Sequence, residues 1–340
     1  MDEPAGKKPS KALTQLREWL TENRAGRRSG YMNEEAFLKA YCSYYLPLHL
    51  PEVYWVLTQA TTRAWKLAPV KKLLDIGCGP GTATLSYLLF CDHNKLPLPE
   101  EIHLLDTSKA ALALAKNLAL VLSPDSKVFT HRVDLRNTRE LTQLSRQLGR
   151  KMDLTLMSHV LNEFGSGPRV RETKGEFIDR ILLSLCDEHG HVLMVEPPLR
   201  SPTMDLMNLR DELVEKGAII VAPCPQRAKL CPMLRNSAGW CYAQPPRTQA
   251  RDWQIAPWDK AIGRLLSIEL THPGFSYLLV GMQPEEKMPE HTAISISDDS
   301  SGMICTGKTI KHSTVPYRGA YLEKSDPVDP SNPPKNPNVK

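Results

Sequence analysis

The chain has 340 residues, 41% hydrophobic, 24% charged and 6% aromatic, which supports one large core or two modest ones and excludes an intrinsically disordered protein. No apolar run reaches the roughly 18 residues of a membrane helix, and the opening MDEPAGKKPSKALTQ lacks an apolar h-region, so a cytoplasmic protein without a membrane partner is expected. A net charge of +5 is compatible with nucleic acid without demonstrating it, and eight cysteines are too dilute for a disulfide scaffold.

Residues 1–70 read as a helical region. Ser10 is placed to cap a helix whose Leu13, Leu16, Trp19 and Leu20 recur at helical spacing, with Gly26 as the stop. A second helix is predicted over 33–46, with Asn33 as cap, Glu34 and Glu35 in its first turn and Pro47 closing it; a third follows Pro51. From residue 71 strands and helices alternate, the signature of a parallel α/β sheet. Strands are predicted at KKLLDIG, EIHLLD, 127–134, 152–158, 191–197 and GAIIVAP, with helices over 80–91, 108–122, 170–187 and 203–216. Periodicity then stops across 223–265, rich in Pro, Arg and Cys, before GFSYLLVGM at 274–282 resumes as a final strand. The expected organisation is one α/β domain over 71–284 carrying the insertion 223–265. A polar extension, 285–324, follows with a short ordered piece around 302–308, and 325–340 forms a proline-rich disordered tail.

Leu73-Leu74-Asp75-Ile76-Gly77-Cys78-Gly79-Pro80-Gly81 joins a strand directly to a helix. Glycines at 77, 79 and 81 remove the Cβ atoms that would block a ligand, and the helix start behind them offers unpaired N–H groups. The spacing is G-x-G-x-G, not the G-x-G-x-x-G of dinucleotide folds. The turn resembles motif I of the class I S-adenosylmethionine-dependent methyltransferases. The fold expected is therefore α/β, Rossmann-like, with a mostly parallel sheet, an N-terminal helical leader and a Cys-rich metal- or cluster-binding insertion. That resemblance assigns Asp75 to the methionine end of S-adenosylmethionine. Asp106 closes the second strand, where an acid can accept from both ribose hydroxyls, and Asp134 closes the third, placed to meet the adenine amino group.

After the fourth strand the sequence reads Ser158-His159-Val160-Leu161-Asn162-Glu163, without the Asn-Pro-Pro-Tyr-like turn of amine methylating enzymes. No cysteine follows the fourth or fifth strand to serve as the nucleophile that methylation at a pyrimidine carbon requires. His159, Asn162 and Glu163 are candidates to line the pocket at its methionine end or to cap the next helix, and His159 is also a candidate general base. No catalytic residue is assigned, because methyl transfer by in-line displacement needs mainly positioning.

Cys224, Cys231 and Cys241 are spaced C-x6-C-x9-C, and Cys305 follows 64 residues later. Four thiolates suit either a tetrahedral zinc or an iron–sulfur cluster; the wide, proline-flanked spacing, lacking the close zinc knuckle, leans towards a cluster. Such a centre offsets the entropy of ordering an aperiodic insertion. Residues 217–251 contain Arg227, Lys229, Arg235, Arg247 and Arg251 but no Asp or Glu, with Trp240, Tyr242 and, just beyond, Trp253 among them, a composition that suits RNA.

The combination resembles the methyltransferase-like assembly factors of the mitochondrial small ribosomal subunit and their bacterial relatives, over roughly residues 30–310. The likeness is carried by LLDIGCGPGTA, the stretch from Asp153 to Glu163, VEPP at 195–198, Arg210, the cysteine segment, FSYLLV at 275–280 and Ile304-Cys305-Thr306. The resemblance implies a protein that binds S-adenosylmethionine and small-subunit ribosomal RNA. It also implies a [4Fe–4S] cluster held by Cys224, Cys231, Cys241 and Cys305, with zinc as the alternative, in a chain that acts as an assembly factor with or without methyl transfer. A monomer is the default.

Overall fold

Leu73, Leu74 and Ile76 are fully buried in a short run between Lys72 and Gly77, so Lys72–Ile76 forms a strand covered on both faces, β1. The computed structural model describes residues 10–22, 30–63, 68–149, 151–162, 174–224, 230–235, 240–244, 274–281, 283, 291–296, 301–305, 310–314 and 321–322. Around β1 the chain builds β2 (Glu101–Asp106), β3 (Lys127–Arg132), β4 (Met152–Ser158), β5 (Cys186–Glu196), β6 (Ile219–Ala222) and β7 (Ser276–Gly281) in the order β3-β2-β1-β4-β5-β7-β6. The first five are mutually parallel, while β7 runs antiparallel between β5 and β6. This is a Rossmann-like, mostly parallel sheet. It brings the ends of β1, β2 and β4 to one edge, where ligands bind in open α/β sheets.

Alternate strand residues face two separate cores. Leu73, Leu154, Leu156, Leu193 and Leu279 pack against α2 (Glu35–Arg63), α3 (Thr82–Asn94) and α4 (Lys109–Leu122). On the other face, Leu74, Met157, Val192, Met194 and Leu278 meet α5 (Thr138–Leu148), α6 (Lys174–Ser184) and α7 (Arg200–Glu215). Helix α1 (Lys11–Arg17) opens on Ser10, whose hydroxyl accepts from Leu13 N–H as expected. A π-helical turn, Glu18–Glu22, continues it, and Trp19 packs against Phe37 with rings tilted by 33° and centres 5.1 Å apart, docking the leader on α2.

Four expectations are corrected. The helix predicted to end at Pro47 and the one predicted after Pro51 are a single helix, α2, containing both prolines. Two missing N–H donors do not break it because its buried face, including Val53, Val56 and Leu57, is held on the sheet, and Ser86 donates its hydroxyl to Leu50 O at 2.7 Å. Asn33 does not cap that helix. It ends a 3-10 turn, Tyr31–Asn33, and its side-chain oxygen accepts from Ser108 Oγ and Ala110 N at the start of α4. Helix α5 lies where no helix was expected; Asn137 caps it through Arg139 N–H, and Leu141 and Leu144 are buried among polar neighbours. Finally, the polar segment after 284 contains a second antiparallel sheet, β10-β9-β8-β11, from His291–Ile296 (β8), Ser301–Cys305 (β9), Ile310–Thr314 (β10) and Tyr321–Leu322 (β11). The expected ordered piece around 302–308 overlaps β9, which pairs with both β8 and β10, whereas 306–309 and the 325–340 tail lie outside the described residues. No described helix is long and apolar enough to cross a membrane.

Candidate functional site

The turn from β1 into α3 has positive φ at Gly77 (68°), Gly79 (53°) and Gly81 (92°), a region that penalises a Cβ. Their surroundings differ. A Cβ on Gly77 would stand 2.4 Å from Val160 Cγ2 and one on Gly81 3.1 Å from Ala115 Cβ, whereas one on Gly79 would approach only Met32 Cε, at 4.0 Å. Gly77 and Gly81 thus let the turn pack against the β4 loop and α4. Gly79 faces space that a ligand can use.

Asp75 is 1% exposed and accepts on Oδ2 from both the hydroxyl (2.7 Å) and the N–H (3.1 Å) of Thr84, on α3. Its Oδ1 has no hydrogen-bond partner among the described residues, and neither do the buried hydroxyls of Thr82 and Ser158. Burial pushes the Asp75 carboxyl up to about 7, against the pull of the Thr84 bonds. At the end of β2, Asp106 accepts from Gly79 N–H on Oδ2 and from Ser108 N–H on Oδ1, each at 2.8 Å; burial raises its pKa as well. The structure therefore brings Asp75, Asp106 and the three glycines to one sheet edge. Asp134 lies two residues beyond β3, where its carboxylate grips the Arg136 guanidinium through two bonds of 2.9 Å.

His159 follows β4 with φ 57°, its N–H donated to Val195 O at 2.7 Å. Its Nε2 lies 2.7 Å from Glu52 Oε2, and His49 Nδ1 lies 3.0 Å from Glu52 Oε1. Burial of Glu52 opposes ionisation, but the two imidazoles outweigh it and hold the carboxyl down at about 2. Beyond His159, Leu161 N–H (2.7 Å) and the Asn162 side chain (2.7 Å) donate to Glu196 at the end of β5. Asn162 is thus a strut between two strand ends, and burial carries Glu196 up to about 7. Glu163 lies outside the described residues. His49 and Glu52 had escaped sequence reasoning. Their i,i+3 spacing was the available signal, hidden because Pro47 and Pro51 read as a break between helices.

The four cysteines arrive from separate segments. Cys231 and Cys305 are buried in one cluster with Met207 and Met233, and Cys241 and Trp240 pack against it. Cys224, after β6, is near enough for the charges of Cys231 and Cys305 to act on it. Helix α7 supplies the floor: Arg210 is 4% exposed and pairs with Asp211, whose carboxylate accepts Cys231 N–H at 2.9 and 3.0 Å. Arg210 Coulombically favours the Cys224 thiolate, but burial dominates and pushes that thiol up to about 12. Trp240 Nε1–H donates to Pro198 O at 2.7 Å, fastening the cysteine segment to the loop after β5. Arg227, Lys229, Arg247 and Arg251 lie outside the described residues, as does the Arg235 side chain.

No curated protein matches this sequence. Among solved structures, magnesium protoporphyrin IX methyltransferase from Synechocystis PCC 6803, with bound SAM, is 14% identical over 79% of this chain and 96% of its own, with a TM-score of 0.41. A putative RNA methyltransferase from Pyrococcus horikoshii is 12% identical over 79% of this chain and 97% of its own, with a TM-score of 0.36. A SAM-dependent methyltransferase from Geobacter sulfurreducens, in complex with S-adenosyl-L-homocysteine, is 17% identical over 69% and 91%, also at 0.36. The model of one protein family, described as Mitochondrial small ribosomal subunit Rsm22, matches residues 35–290 and so spans α2, the whole seven-stranded sheet and Cys224, Cys231 and Cys241. With that match over well more than half its length, the chain belongs to the Rsm22 family of the small ribosomal subunit.

Proposed function

We propose that this protein binds S-adenosylmethionine at the ends of β1, β2 and β4, and holds a [4Fe–4S] cluster through Cys224, Cys231, Cys241 and Cys305. In this reading it associates with small-subunit ribosomal RNA during assembly. The observation that carries the reading is the convergence of thiols from the ends of β6 and β9 and from the insertion onto one face of α7, over a buried arginine. Arg210 adds a positive charge beside a centre whose thiolates are anionic, and the raised cysteine pKa values mean that metal must displace protons there. Among the described residues, three candidate ligand atoms come within 4.8 Å of one another only at His49, Glu52 and His159. The four thiols thus do not meet at zinc-binding distance here, and the preference for a cluster over zinc rests on the wide C-x6-C-x9-C spacing.

The residues at the ends of β1 and β2 support the cofactor reading on their own grounds. Asp75 Oδ1 is a buried acceptor waiting for a donor, as the cofactor's ammonium would be, and Gly79 leaves room beside Asp106 for a ribose. Bound there, S-adenosylmethionine would supply an electrophilic methyl group; the chain's own part is to position it. The cluster's role is structural: it fixes the basic segment around 227–251 for phosphate contacts. The test is Cys231→Ser. The sheet should remain folded by circular dichroism while association with small-subunit RNA is lost. RNA binding equal to that of the unmodified protein would overturn the reading.

A further inference from the structure

We propose that His49, Glu52 and His159 form a binding site for a divalent transition-metal ion of the zinc or iron(II) type, tying helix α2 to the sheet edge. His49 and Glu52 stand three residues apart on one face of α2, and His159 reaches them from the end of β4, 107 residues beyond Glu52 in the chain. Two imidazole nitrogens and one carboxylate are a donor set that these ions prefer, and three protein ligands leave further positions for water or a substrate atom. All three ligand atoms lie within 4.8 Å of one another.

The distances fit a shared coordination shell. Two atoms each about 2.1 Å from one ion, at right angles, are about 3.0 Å apart. The nitrogens lie 3.0 and 2.7 Å from the oxygens of Glu52, so small ring movements place an ion among them. Burial points the same way. Glu52 is 3% exposed, and His49 and His159 only 15% and 13%. A carboxylate in that position needs positive charge beside it, and a dication held jointly by the carboxylate and the two imidazoles would supply it.

The ligands are also held in advance of binding. His159 has the left-handed backbone that few non-glycine residues adopt, pinned through its N–H to Val195 O, so its ring is aimed at α2. The next residue, Val160, is the one that packs against Gly77. An ion here would stand close to the turn assigned to the cofactor, yet its binding depends neither on that assignment nor on the cysteine centre.

The full chain, freed of metal by chelation under reducing conditions, is titrated with Co2+. The expected result is one ion giving weak visible bands without thiolate charge transfer, distinct from any cobalt held by cysteine. Glu52→Gln and His49→Gln should each lose it, with a fall in affinity beyond the roughly 100-fold that changes outside the ligand shell produce. Cys231→Ser should keep it. If Glu52→Gln fails to fold by circular dichroism, His49→Gln decides. Cobalt bound through thiolate alone, or an unchanged nitrogen–oxygen spectrum in the folded variants, would overturn the proposal.

Discussion

Gly77 and Gly79 share the same backbone region yet do different work, and replacing each by alanine separates the two. At both positions alanine takes on a left-handed conformation, at a cost of about 1–2 kcal/mol. At Gly79 little else is added, since the new methyl meets only the end of Met32 at 4.0 Å. At Gly77 the methyl would fall 2.4 Å from Val160 Cγ2, inside a buried contact. Overpacking of that kind costs about a further 1–3 kcal/mol, giving about 2–5 kcal/mol in all. Urea unfolding monitored by circular dichroism should therefore rank Gly77→Ala well below Gly79→Ala in stability. The contrast reverses for S-adenosylmethionine measured calorimetrically: Gly79→Ala should lose at least about tenfold in affinity, or about 1.4 kcal/mol. Adding Val160→Ala to Gly77→Ala should recover the steric part while leaving the backbone part, a coupling visible in a double-mutant cycle. Equal destabilisation at the two glycines, or no coupling with Val160, would refute this account of the turn.

Further expectations concern the buried carboxyls and the leader. Asp75 and Glu196 both have folded-state pKa values raised to about 7 by burial, so the folded chain keeps their protons at a pH where the unfolded chain has released them. Their stabilising contribution is complete below about pH 4 and is lost as pH rises through about 7, so the melting temperature of the ligand-free protein should fall across that window. Asp75→Asn and Glu196→Gln should each flatten the slope, and a melting temperature that climbs with pH would contradict it. Because a cationic ammonium favours ionised Asp75, cofactor binding below about pH 7 should release a proton. Calorimetry in two buffers of different ionisation enthalpy measures that release. Asn33→Ala removes the acceptor that joins the 3-10 turn to the start of α4. It should cost about 1 kcal/mol and speed proteolysis of the leader; unchanged cleavage would refute the bridging role.

The parallel sheet was legible because its strands are short buried runs: EIHLLD and MDLTLMS are strands from end to end. The glycine turn and both carboxylates were equally plain, since strand, turn and helix follow within ten residues of Asp75. What escaped depends on tertiary contacts. Pro47 and Pro51 are read locally as breaks, and only the packing of α2 on the sheet carries the helix through them. That misreading also hid the meeting of His49 and Glu52 with His159, a residue assigned from sequence to the cofactor and found beside a buried glutamate. Helix α5 was missed because Leu141 and Leu144 are a thin apolar stripe among polar residues. The second sheet, whose β8 and β10 are largely polar and lack a regular apolar–polar alternation, offered little hydrophobic signal, though Ile304-Cys305 marked a central strand.

The most direct test of the cysteine centre is a quantitative analysis of iron, acid-labile sulfide and zinc, with an absorption spectrum, on the full chain purified without oxygen. The account predicts a brown protein with about four iron and four sulfide per chain, bleached by reductant and dependent on Cys305 as well as on the three clustered cysteines. A colourless protein with intact fold and no sulfide, whether it carries zinc at the thiols or no metal there, would contradict it.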